Sequence, residues 1–79
     1  MAKKAFDFEK VQSIADLKEA EVSFESAYSK IENIVEMQEK GTLNLEDSIK
    51  FYKIGKILTQ YCQEILNEAK EDIEKISNE

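Results

Sequence analysis

The chain has no histidine, arginine, proline or tryptophan, a single cysteine and two glycines. Each absence removes a class of function. Without histidine there is no side chain that titrates near neutral pH to serve as a general base for a hydroxyl or thiol nucleophile. Cys62 alone builds no disulfide framework, and one cysteine without histidine makes no zinc site. All eleven basic residues are lysines, so the forked guanidinium grip on phosphates and base edges is missing. A formal net charge of −6 repels a nucleic-acid backbone as well. No apolar run approaches the ~20 residues of a membrane-spanning helix. Basic Met1–Ala5 is followed by charged Phe6–Lys10, where a secretory leader would need an apolar core. The expectation is a soluble, cytoplasmic chain with no membrane segment, no cofactor, no metal and no direct nucleic-acid contact.

What is present is helical periodicity. Seventy-nine residues make one domain at most, and a chain this short buries only roughly 60% of its unfolded surface, which leaves it marginal unless it associates. From Leu45 to Ile76 the apolar residues include Ile49, Phe51, Tyr52, Ile54, Leu58, Tyr61, Cys62, Ile65, Leu66, Ala69 and Ile73. At about 100° per residue they span roughly half of a helix circumference. A single partner helix covers less than that. An earlier stretch places Leu17, Ala20, Phe24, Ala27, Ile31 and Ile34 on a heptad grid, with Tyr28 and Val35 beside the seam. Asp16, with Glu19 three residues on, resembles a capping box opening this helix. Lys40 and Gly41 close it, and Asn44 caps the next.

The expected fold is all-α. It is an antiparallel, coiled-coil-like two-helix hairpin with a flexible arm over 1–15, a first helix over about 16–40, a turn at 41–44 and a long second helix over about 45–77, the whole hairpin spanning 16–78. A connection of about four residues makes the helices antiparallel neighbours. The hairpin core is assigned to Leu17, Phe24, Ala27, Ile31, Ile34, Val35, Leu43, Leu45 and Ile49. Folded back, a first helix of roughly 36 Å covers a second of roughly 48 Å only to about Glu68. The surplus apolar face is therefore read as a partner surface that assembles hairpins into a larger bundle: Phe51, Tyr52, Gly55, Leu58, Tyr61, Cys62, Ile65, Leu66, Ala69 and Ile73. Gly55 costs roughly 1 kcal/mol against alanine in mid-helix and suggests close approach of another backbone.

Other features have plainer meanings. Cys62 lies four residues from Leu58 and from Leu66, and reads as a small buried hydrophobe. Carboxylates at metal-like spacing (Glu32, Glu36, Glu39; Glu64, Glu68, Glu71) read as solvated faces, because di-metal bundles also need histidine. Lys50, Lys53 and Lys56 fan over an outer face, either solvated or docking an acidic partner. No catalytic residue is assigned.

Order and spacing from Phe24 to about Ile76, roughly two-thirds of the chain, resemble the exodeoxyribonuclease VII small subunit family. The resemblance rests on Phe24-Glu25-x-Ala27, Ile31-Glu32-x-Ile34-Val35 and the turn Glu39-x-Gly41-x-Leu43-x-Leu45-Glu46. It continues through Tyr52-x-x-Gly55-x-x-Leu58-x-x-x-Cys62-Gln63-x-x-Leu66-x-x-Ala69 to Ile73. Asn44 stands where the family often has proline, Tyr61 where it often has a basic residue and Lys53 where it often has an acidic one. The segment before Phe24 is longer than usual. The resemblance implies a helical hairpin without catalytic groups, bound in several copies along a helical region of the exodeoxyribonuclease VII large subunit. That subunit would hold the nucleic-acid and hydrolytic sites of an enzyme degrading single-stranded DNA from both ends into oligonucleotides, with no added divalent metal. The partners expected are thus the large subunit and further copies of the chain. The alternative is a self-assembling helical adaptor of another complex.

Overall fold

A side-chain cap opens each of the three α-helices of the computed structural model, which describes residues 6–77. The Asp16 carboxylate accepts the backbone N–H groups of Gln12 (2.9 Å) and Ser13 (3.2 Å) and opens α1, Ile14–Glu19. Ser23 Oγ accepts the Ser26 N–H at 3.1 Å and opens α2, Phe24–Lys40. Asn44 Oδ1 accepts the Asp47 N–H at 2.9 Å ahead of α3, Leu45–Ser77. The Ser23 and Asn44 caps satisfy first-turn donors that have no partner within the helix, and Asp16 reaches back to the N–H groups at and before its helix's cap. Gly41 ends α2 at φ 64°, a left-handed conformation that costs glycine little.

The single first helix expected over about 16–40 is two helices. Asp16 occupies the third position of α1, and the N-cap is Ser13. Helix α1 stops after six residues. Glu21 then adopts φ 52°, its N–H reaches the Lys18 carbonyl, and the Val22 N–H reaches the Leu17 carbonyl, both at 3.1 Å. These are the two bonds of a Schellman ending, formed here on a residue with a side chain. Val22 and Ala27 occupy the flanking positions of a hydrophobic staple around the Ser23 cap, and both are buried. The break lets Leu17 and Val22 go into the core together, which a straight helix would not do.

The flexible arm expected over 1–15 is also revised, apart from its first five residues, which lie outside the described ones. Asp7 caps a 3-10 turn at Phe8–Lys10, and Val11 is buried. This turn and α1 form a strap along α3, opposite the flank that α2 covers. Lys50 pairs with Glu9 at 3.8 Å and Lys18 with Glu64 at 3.3 Å. Both pairs are well exposed and stabilise little. The stronger tie is the buried Tyr61 hydroxyl, which donates to the Val22 carbonyl at 2.6 Å.

The core accordingly draws on three sources: Val11, Leu17 and Val22 from the strap and its turn, Ala27 and Ile34 from α2, and Phe51, Ile54, Leu58, Tyr61 and Cys62 from α3. Helix α3, 33 residues and about 50 Å long, sets the 53 Å longest dimension. Tyr61→Phe is expected to keep the fold but destabilise it by about 1–2 kcal/mol, because the buried Val22 carbonyl loses its side-chain donor. Thermal denaturation followed by circular dichroism reads this as a drop of several degrees, with faster proteolysis between residues 6 and 23.

Candidate assembly surface

The strap covers the middle of α3, and the apolar surface left open lies elsewhere. Between α2 and α3 runs a groove of about 420 Å³, lined by Ile31, Ile34, Val35 and Gln38 on one wall and by Phe51, Tyr52, Gly55, Lys56, Thr59 and Gln60 on the other. Lys56 is the only charged residue in that lining. Beyond the groove, Leu66 (50% exposed), Ala69, Ile73 (63%) and Ile76 stand uncovered on the last turns of α3. Because α1 folds back beside α3 instead of extending α2, cover ends near Leu66, earlier than the Glu68 limit expected for a straight first helix.

The residues assigned to the partner surface divide in two. Tyr52 (62% exposed), Leu66, Ala69 and Ile73 are open, and Gly55 and Ile65 are half-buried. Phe51, Leu58, Tyr61 and Cys62 are buried inside the chain's own core, so their assignment to a partner surface is corrected. The reason is the strap, which dries the flank of α3 that a two-helix hairpin would leave wet. Phe51 in addition lies beneath the ammonium groups of Lys30 and Lys50, 5.7 and 5.9 Å from its ring centre.

The assigned hairpin core divides likewise. Leu17, Ala27 and Ile34 are buried, while Phe24, Ile31 and Leu43 are half-buried. Val35 (47% exposed), Leu45 (76%) and Ile49 are exposed, which corrects their placement in the core. Leu45 is open to solvent at the start of α3, Ile49 lies beside the strap with Glu9 and Val11, and Val35 lines the open groove. Sequence reasoning passed over Val22, a core residue off the heptad grid, whose place beside a serine cap was the available signal.

Gly55 has a specific meaning in this geometry. A Cβ built on it meets the Ile34 side chain at 3.7 Å, an ordinary contact. Packing within the hairpin therefore gives no reason for glycine at this position.

The chemistry of the surface is that of adhesion. Among the described residues, no cluster of three or more His, Cys, Asp or Glu could hold a metal ion. Burial raises the Cys62 thiol above its ordinary value of 9.0, which keeps it protonated. A thiol-specific disulfide reagent is expected to label Cys62 only as fast as the chain opens, and at once in denaturant. Because the folded pKa is raised, the associated stability is present below the ordinary thiol range and lost as pH rises through it. Among the described residues no helix is long and apolar enough to cross a membrane.

Comparison with known proteins gives this surface its context. The family described as Exonuclease VII small subunit matches residues 24–75, the whole of α2 and nearly all of α3. The chain belongs to the exonuclease VII small subunit family. An exodeoxyribonuclease 7 small subunit of Bradyrhizobium sp. (strain ORS 278) is 37% identical over 67 residues, covering 85% of this chain and 78% of that protein. Its counterpart in Bartonella henselae is 42% identical over 57 residues, 72% of this chain and 68% of that protein. The one from Agrobacterium fabrum is 43% identical over 54 residues, 68% and 63% respectively. No solved structure matches the chain. As an exonuclease VII small subunit it has a non-catalytic role, in keeping with its all-α fold of one long helix packed by shorter ones. The family match begins at the first residue of α2, so the strap lies wholly outside it. Tyr61, the residue that ties the strap's turn to α3, is one of the positions at which this sequence departs from the family pattern given above.

Proposed function

We propose that this chain is the sheathing subunit of an exonuclease VII, binding a helical region of the large catalytic subunit through the open groove and the uncovered end of α3. The enzyme so assembled would degrade single-stranded DNA from both ends into oligonucleotides, with DNA binding and hydrolysis left to the large subunit. One observation supports the reading: of the eight exposed large apolar side chains among the described residues, Tyr52, Leu66 and Ile73 share one stripe of α3 and Val35 lines the groove beside it, while Tyr28, Leu45, Ile49 and Ile76 are exposed as well. Such a contiguous exposed patch marks an interaction site. The acidic balance and the absence of arginine support a role away from the DNA backbone.

Co-expression with the large subunit from the same genome tests this. The two chains are expected to co-purify, and this chain alone is expected to leave single-stranded DNA intact. The double change Tyr52→Glu with Ile73→Glu alters two exposed residues, so helicity should persist while affinity falls roughly hundredfold or more, the loss expected on removing interface anchors. If the wild-type chains fail to associate at micromolar concentration, the proposal is wrong.

A further inference from the structure

We infer that Ala20–Ser23 is a hinge between two states of the chain: the bent one observed, and a straight one in which α1 continues α2 and lies on the uncovered end of α3. The bend carries a local cost. Among the described residues Glu21 is the only non-glycine with positive φ, at 52°, a left-handed conformation disfavoured for a residue with a side chain. Nothing in the joint, Ala20-Glu21-Val22-Ser23, forbids a helix, since it holds neither proline nor glycine. With α1 and α2 as one helix, Leu17, Ala20, Phe24, Ala27, Ile31 and Ile34 fall within about 100° of one another. Straightening therefore brings the α1 side chains onto the face that α2 already packs against α3. What holds the bend is the burial of Val11, Leu17 and Val22, together with the Tyr61–Val22 hydrogen bond, which grips the joint itself.

The straight state has a seat on α3. Ile34 lies against Gly55 in the antiparallel pairing of the two helices. Each residue back along α2 moves the level on α3 one residue forward, so in a straight helix Ala20 comes level with Ala69, and Leu17 with Asp72 beside Ile73. Around α3, Gly55, Leu58, Cys62, Ala69, Ile73 and Ile76 all fall within about 60° of one another. The track that α2 occupies thus runs on, apolar, past the point where its cover stops. Each state covers one apolar surface and bares another. Bent, the strap dries the flank of Ile54 and Tyr61 and leaves Ile73 and Ile76 open. Straight, α1 covers that end and uncovers the flank. The consequence rests on the proposed function, which gives the end of α3 to the large subunit: the straight state withholds it, and large-subunit binding selects the bent state.

Pulsed electron paramagnetic resonance on the full-length chain tests the hinge, with spin labels on Glu9→Cys and Lys53→Cys in a Cys62→Ala background. Glu9 and Lys53 line one surface pocket in the bent state. In the straight state they stand on the order of 30 Å or more apart along α3. With Glu21 in place the short distance should dominate. Glu21→Gly relieves the left-handed turn and weakens a continuous helix, so it should show the short distance alone. Glu21→Ile with Tyr61→Phe opposes the bend and removes its tie. The bent-to-straight ratio should fall on the order of tenfold or more, and a discrete long distance should appear with helical circular dichroism retained. Glu21→Ile alone should show the same long distance at lower population. Affinity for the large subunit should fall in proportion to the bent fraction lost. Absence of the long distance in both isoleucine variants, or a broad spread of distances with lost helicity, would overturn the inference, because α1 would then have no second seat. Equal large-subunit affinity of the glycine and isoleucine variants, despite shifted distances, would overturn the occlusion. A wild-type chain that shows both distances among its variants yet never binds the large subunit would remove the proposed function and leave the hinge standing.

Discussion

Leu58→Asp is expected to unfold the chain, whereas Leu66→Asp leaves it folded and unable to assemble. The two leucines are eight residues apart on α3, about two turns, and the periodicity of the sequence treats them as neighbours on one apolar face. The structure separates them. Leu58 is fully buried between α2 and the strap, while Leu66 is half exposed past the end of their cover. An aspartate at position 58 would replace a core side chain with an unpaired charge in a dry site. Even Leu58→Ala would cost about 2–5 kcal/mol through the cavity it leaves. A domain of this size has only about 4–12 kcal/mol in total, so the charged replacement removes most or all of it. At position 66 the carboxylate stays in water, and the expected change in stability is within about 0.5 kcal/mol. Circular dichroism melts distinguish the two variants: a largely unfolded spectrum for the first, and a near-native melt for the second. For Leu66→Asp the loss should appear in sedimentation and in co-purification. A folded Leu58→Asp chain would mean that the core has been misplaced.

Gly55 offers a second test, in which stability and assembly move in opposite directions. Alanine there gains helix propensity of about 1 kcal/mol, and its Cβ meets Ile34 at an ordinary distance. The isolated monomer is thus expected to melt several degrees higher. Leucine keeps much of that propensity but projects its branched end into the groove that a second helix must enter. Association of Gly55→Leu should weaken roughly hundredfold, from overpacking and a displaced contact, with a helical, stable monomer left behind. Normal association of this variant would show that nothing approaches the glycine closely.

The contrast between the partner-surface residues Phe51, Leu58, Tyr61 and Cys62 and the open Tyr52, Leu66 and Ile73 shows where sequence reasoning reached its limit. Every one of these belongs to the wide apolar face of a helix, and the pattern identified them as such. A residue's number on a helix states its angle about that helix's own axis. Whether it is dry depends on what lies at that angle, and here that is a strap whose path follows from a four-residue break, Ala20–Ser23. The heptad grid ran straight through the break because Leu17, Ala20 and Phe24 happen to keep the spacing. Ser23 as a cap, with Val22 and Ala27 flanking it, carried a competing local signal.

What the sequence determined by itself is the helical character of the chain, the Gly41–Asn44 turn, the excess apolar width of the long helix, the absence of catalytic groups and the kinship from Phe24 onward. These follow from periodicity, caps and residue types, all of which act locally along the chain. Tertiary structure alone decided which part of that width is covered. Two distant contacts made the choice: the Tyr61 hydroxyl on the Val22 carbonyl, 39 residues away, and the burial of Leu17 and Val11 beside Leu58 and Ile54 in one core. Such contacts depend on how far a segment can fold back in space, and local periodicity holds no record of that.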